Sequence, residues 1–303
     1  MMAGMIRMKG AASPVWAVPY DGNFAAMALL AANDLKPNSE DLHRVERWLL
    51  WYAEQQKPDG TIDDQEGTVS SYKANGRRDS TDSYAATFLM AVARYQRAIG
   101  DRTSLVIDHA AIKALSAIEA VSQKDGLTIA KPDYPMKYLM DNIEVYGGLQ
   151  EGAAFLAARG YPAEAAQARQ MAQRAATGLA GYWSEKDRCF AFALDLQGKF
   201  SGGLKKSYPH GLAQLFALAH IAPQRVELWH DVQRTFKPGD VGMPVERWLI
   251  AATRCGEAAE REHFRRATRE AMLRFTANNV YVNRPAVAIL AIIDGEARFR
   301  DLR

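Results

Sequence analysis

Two short segments of this chain place pairs of carboxylates at the start of apolar helical runs. The first, "RRDSTDSYAATFLMAVARY", carries Asp79 and Asp82. The second, "YLMDNIEVYGGLQEGAAFLAARG", carries Asp141 and Glu144. Both pairs have i, i+3 spacing, which puts two side chains on one side of a helix. Two carboxyl groups facing each other across a sugar are the chemistry of glycoside cleavage. One is protonated and releases the leaving group; the other activates water or attacks directly. The competing reading is structural. Aspartate is a preferred N-cap, and acidic residues in a first turn meet the helix dipole favourably. "DSTD" and "DNIE" both resemble capping-box variants. Capping accounts for either segment alone, but not for two acidic starts that converge on one place.

The elements that position these carboxylates follow from periodicity. Six segments are small and apolar almost all round: 22–33, 82–95, 144–160, 208–221, 244–256 and 284–295. Helices without a polar face are buried on most sides. Five amphipathic segments separate them: 39–56, 103–123, 162–183, 223–236 and 257–278. Each has one apolar stripe and suits an outer layer. Inner and outer helices in alternation predict an all-α fold, an (α/α)6 toroid or barrel in which an inner ring is sheathed by an outer one. An open helical solenoid explains the alternation too, but its loops should be evenly short. Here the connections after inner segments are short, as at 34–38 and 100–102, whereas those before them are mostly long, at 57–80, 124–140 and 184–207. The long loops therefore gather at the N-termini of the inner helices, where function is expected. One of them, "YWSEKDRCFAFALDLQGKF", alternates aromatics ahead of a turn and predicts a small β-hairpin near 184–200. The expected organisation is one domain over 1–303, with 1–19 as an N-terminal extension.

That face brings further residues to the mouth: Asp21, Asp59, Asp63, Asp64, Glu246, Arg247, Asn279, Asn283 and Arg284. The expected substrate contacts are Trp16, Tyr20, Tyr72, Arg78, Tyr84, Asn142, Tyr146, Tyr208, His210 and Trp248. Aromatic rings stack on the C–H faces of sugars, while amides and charged groups bind hydroxyls. Trp48, Trp51 and Trp229 fall on outer segments and read as core.

Bulk properties exclude several classes. The formal charge is +3, from 38 basic and 35 acidic residues, with no long run of one sign, so no nucleic acid is expected. No apolar run reaches membrane-spanning length. The first residues lack a continuous apolar core, so a cytoplasmic location is expected. Cys189 and Cys255 have no metal-type spacing, and "DGTIDDQEG" lacks calcium-loop spacing. No metal or cofactor is expected.

The two acidic helix starts, the "DN…Y.GL…A..LA...G" run and the hairpin segment together resemble the six-hairpin glycosidase superfamily, whose members include glucoamylase-like, trehalase-like and unsaturated glucuronyl hydrolases. The resemblance spans roughly residues 20–295. It implies a carbohydrate substrate and hydrolysis by a carboxylate pair, often with inversion. On that basis Asp82 and Asp141 are the expected pair, Asp79 and Glu144 the reserves, with Arg78, Tyr146 and His210 holding substrate. Three alternatives stay open: a non-catalytic glycan-binding toroid; a terpenoid-cyclase-like toroid, which "QQKPDGTIDD" weakly resembles; and a sugar epimerase, which would want histidine as acid and base.

Overall fold

A computed structural model of the chain describes residues 15–68, 71–276 and 281–293. Asn279, residues 1–14 and residues 294–303 lie outside the described residues. Eleven α-helices occur among those described: α1 (Pro19–Leu35), α2 (Ser39–Gln55), α3 (Asp82–Ile99), α4 (Leu105–Val121), α5 (Leu139–Ala158), α6 (Pro162–Leu179), α7 (Leu212–His220), α8 (Val226–Thr235), α9 (Val245–Cys255), α10 (Ala258–Met272) and α11 (Asn283–Ile293).

The odd-numbered helices form a closed ring. Each packs on the next, from α1 through α3, α5, α7 and α9 to α11, and α11 packs back on α1. The even-numbered helices sheath it. Closure excludes the open solenoid, because the first and last inner helices of a solenoid never meet. The fold is the expected (α/α)6 toroid.

Small side chains explain why the inner helices fit inside. A Cβ at Gly148 of α5 would lie 2.5 Å from the Ala86 carbonyl oxygen of α3. The two backbones touch there, and only glycine permits it. On the outer layer, the expected tryptophans are core: Trp48 and Trp229 are fully buried and Trp51 nearly so. Trp48 occupies the space a side chain at Gly22 would need and donates its indole N–H to Asn23 at 3.0 Å, tying α2 to α1. Burying one such ring contributes roughly 4–6 kcal/mol, from ~150–250 Å² at ~25 cal/mol per Å².

Short strands decorate the segments that precede inner helices. β1 (Val15–Ala17), β2 (Gln65–Gly67) and β3 (Tyr72–Ala74) form an antiparallel sheet in that order. The stretch expected as one hairpin is two. β5 (Trp183–Ser184) pairs with β6 (Cys189–Phe190), and β7 (Ala193–Leu194) pairs with β8 (Phe200–Ser201), with β4 (Lys137–Tyr138) added on the other side of β7. The "LQGK" turn closes only the second. There Asp195 accepts from the backbone N–H groups of Gln197 and Lys199, and Gly198 takes φ +75°. No described helix is long and apolar enough to cross a membrane.

Candidate active site

A cavity of about 1080 Å³ opens at the N-terminal end of the inner ring. All six inner helices supply it from their N-terminal ends: Tyr20 and Asp21 from α1, Ser83 and Tyr84 from α3, Asp141 and Glu144 from α5, Leu212 from α7, Glu246 and Arg247 from α9, and Asn283 and Arg284 from α11. The preceding loops add Asp64, Asp79, Tyr208 and the 238–244 segment. Outer helices run antiparallel to inner ones, so the C-terminal part of α10 reaches the same face with Glu270.

Capping does not account for the acids of the second pair. Neither α3 nor α5 has a side-chain hydrogen bond from its N-cap residue, Thr81 and Tyr138 respectively. Helix α5 starts at Leu139, five residues before the expected boundary, so Asp141 sits in its first turn and Glu144 a turn further. Asp141 and Glu144 face the cavity, the Asp141 carboxyl also accepting from its own backbone N–H.

The carboxylates divide by environment. Asp141 is half-buried, and its carboxyl is pushed well above the usual range by burial and then by the charges of Asp82, Glu144 and Asp79. Glu144 is buried and pushed up to about 8 by burial, against the hydrogen bond that it accepts from the Tyr20 hydroxyl at 2.6 Å. Asp21 is pushed up to about 7 by burial and by Asp64, and Asp64 up to about 6 by burial, opposed by the Tyr84 hydroxyl that donates to it at 2.9 Å. Asp79 is exposed to the cavity. Its backbone N–H donates to the Tyr84 hydroxyl, leaving the carboxylate to solvent.

Asp82 lies elsewhere. It is fully buried and does not line the cavity. Its carboxylate accepts from the Thr128 hydroxyl at 2.6 Å and from the Ser83 N–H at 2.8 Å. Burial pushes it up to about 7 despite these donors. It stands behind the wall, in electrostatic reach of Asp141. The expected view of Asp82 across the mouth is closed because the 124–138 loop claims its side chain.

Several expected substrate contacts are placed in other work. Asn142 is buried and clamps that same loop, accepting from the Thr128 N–H at 2.7 Å and donating to the Thr128 carbonyl at 3.0 Å. Trp248 is core, 5.8 Å from the Trp229 ring centre and 5.7 Å from Phe264. Arg78 pairs with Asp63 at 3.1 Å, Tyr72 accepts from the Trp51 indole at 3.1 Å, and Tyr146 accepts from Gln150 at 2.7 Å. None of these lines the cavity, and neither do Trp16, half-exposed on β1, and His210, which stacks on Phe192 at 4.6 Å. Burial, then Lys205 and Lys206, lower the His210 pKa. Tyr20, Tyr84 and Tyr208 do line it. Tyr208 rests against Gly242, whose φ of +73° and whose missing Cβ, which would stand 2.6 Å from that of Tyr208, both require glycine.

On α9 and α11, Glu246 forms an ion pair with Arg284, and the Arg247 guanidinium lies 4.4 Å from the centre of the Phe216 ring. Among the described residues no group of three or more His, Cys, Asp or Glu is arranged to hold a metal ion.

Solved structures share this architecture at low identity. A β-1,3-1,4-glucanase from a Paenibacillus species superposes with TM-score 0.67 at 11% identity, over 97% of this chain and 87% of that one. An uncharacterized conserved protein from Thermus thermophilus gives 0.66 at 13%, over 97% and 96%. A GH63 mannosylglycerate hydrolase from the same organism, in complex with glucose, gives 0.65 at 14%, over 97% and 96%. No family model matches the sequence, and no curated protein does. The fold is therefore that of the six-hairpin glycosidases. At these identities the likeness carries the fold, and function rests on the site.

Proposed function

We propose that this chain is a glycoside hydrolase that works by inversion, with Asp141 as general acid and Asp79 as general base. The observation that carries the reading is Asp141: a carboxyl that lines an open cavity while its burial and three neighbouring carboxylates favour its protonated form. Such a group keeps its proton to higher pH than an ordinary carboxyl and can give it away. Asp141 donates that proton to the glycosidic oxygen as the C1–O bond breaks. Asp79, solvent-facing and in electrostatic reach of Asp141, takes a proton from the water that attacks C1 from the opposite face. The fold neighbours named as a glucanase and a mannosylglycerate hydrolase favour a carbohydrate substrate. Tyr20, Tyr84 and Tyr208 supply rings for its C–H faces.

Asp82 serves this pair from behind. Its negative charge, when present, holds the Asp141 proton in place. The test is reducing-end release from a panel of malto-, cello-, xylo- and mixed-linkage gluco-oligosaccharides, with proton NMR of the first anomer formed. Activity in the wild type, lost in Asp141→Asn and Asp79→Asn with unchanged circular dichroism, is the expected result. Retention of the anomeric configuration, or unchanged rates in either variant, overturns the assignment.

A further inference from the structure

We infer that an aromatic stair outside the cavity, built from Tyr134 and Tyr138, binds the outer sugar units of a chain whose cleaved bond lies at Asp141. This rests on the proposed hydrolase reading and extends it from a reaction to a substrate length. The rings follow one another nearly in parallel. Tyr134 and Tyr138 are 6.3 Å apart at 20°, Tyr138 and Phe192 6.5 Å at 25°, and Phe192 and His210 4.6 Å at 19°. The inner end is propped by packing. The outer end is open, with Tyr134 49% exposed.

Continuity with the cavity identifies the occupant. Tyr138 immediately precedes α5, three residues before Asp141, and lies in electrostatic reach of both Asp141 and Tyr208. Tyr208 itself lines the cavity and is 54% exposed. A chain leaving the cavity past Tyr208 therefore meets Tyr138 and then Tyr134. The two tyrosine hydroxyls hydrogen-bond to each other at 3.2 Å, which holds the rings in one orientation before ligand arrives. A rigid, exposed aromatic face offers contact area with little ordering entropy to lose. Sugar rings present C–H faces that suit it; an unbranched chain of several units would use it, and a disaccharide would not reach it.

The test compares two-unit and six-unit members of the cello-, xylo-, malto- and mixed-linkage gluco-oligosaccharides, with binding followed by isothermal titration. The proteins are the wild type, Tyr134→Ala, Tyr138→Ala and the ring-preserving Tyr134→Phe and Tyr138→Phe. In the series that binds, the alanine variants should weaken the six-unit ligand roughly tenfold and leave the two-unit ligand unchanged, while the phenylalanine variants, which keep the rings but lose the bond between the hydroxyls, should weaken the six-unit ligand by less. Equal weakening at both lengths, no weakening at either, or no binding by any series overturns the stair. Length-dependent binding without cleavage of any sugar would keep the stair and remove the hydrolase. Cleavage that ignores length and these substitutions would do the reverse.

Discussion

The Tyr20 hydroxyl donates to Glu144 at 2.6 Å, joining the first turn of α1 to α5 across the mouth, 124 residues apart in the chain. Glu144 is thereby held by an uncharged donor while its carboxyl sits high, at about 8. Tyr20→Phe removes the donor and leaves a buried acceptor unpaired, which should destabilise the fold by ~1–3 kcal/mol. Urea denaturation measures it, and a midpoint equal to wild type would show that water replaces the hydroxyl.

Asp141→Asn should lower hydrolysis of a natural oligosaccharide by ~10²–10⁴-fold, the usual contribution of a general acid. An aryl glycoside with a good leaving group needs less protonation, so the same variant should lose much less on a nitrophenyl glycoside of the accepted sugar. Asp79→Asn should lose on both, because water must be activated in either case. Steady-state kinetics on the two substrates separates the roles.

Asp82→Asn should shift the alkaline limb of the kcat/KM profile to lower pH. Asp82 ionises as pH rises through about 7, and its charge then keeps the proton on Asp141. Asparagine cannot gain that charge, so Asp141 releases its proton earlier. A profile that only falls in height, with both limbs in place, would assign Asp82 to packing alone.

Stability should decline from pH 5 to pH 8. Asp21, Asp64, Asp82 and Glu144 bind protons more tightly folded, at about 7, 6, 7 and 8, than in an unfolded chain, near 4. Their contribution is complete below about 4 and is lost as pH rises through those higher values. Calorimetry should show a falling Tm, and Asp82→Asn should flatten the fall by removing a contribution on the order of 2–4 kcal/mol. A Tm that climbs over this range would contradict the burial assigned to these groups.

Gly148→Ala should destabilise by ~1–3 kcal/mol, since the new Cβ meets the Ala86 backbone and one helix must move. Because α3 and α5 both line the cavity proposed as the active site, the variant should also lose activity at temperatures where it stays folded.

The ring was legible in the sequence because buried inner helices lack a polar stripe, as α1 and α5 do. Asp141 and Glu144 were legible for a related reason: acids at the start of an all-round apolar helix have few places to go but the open end. Asp82 was harder. The i, i+3 spacing with Asp79 says the two share a side, not that a loop 46 residues on will offer Thr128 to one of them. Asp21 and Asp64 stand among the mouth residues, but their raised proton affinity comes first from burial and then, for Asp21, from the charge of Asp64, and neither can be read from spacing along the chain. Trp248 follows Arg247, and one residue is about 100° around a helix. That step separates a residue on the cavity from one packed against Trp229 and Phe264.

All the inner helices run in one direction, so six N-termini point at a single cavity. Each carries roughly half a positive charge in its unpaired amides. The wall itself is thus a diffuse cation made of backbone, one that no substitution of a side chain removes. It lets Asp21, Asp64, Asp79, Asp141 and Glu144 crowd one mouth with less mutual repulsion than their number suggests. The opposite end of the same ring has the reverse polarity and would resist such a gathering. A toroid of this kind has a chemical top and bottom before any catalytic residue is chosen.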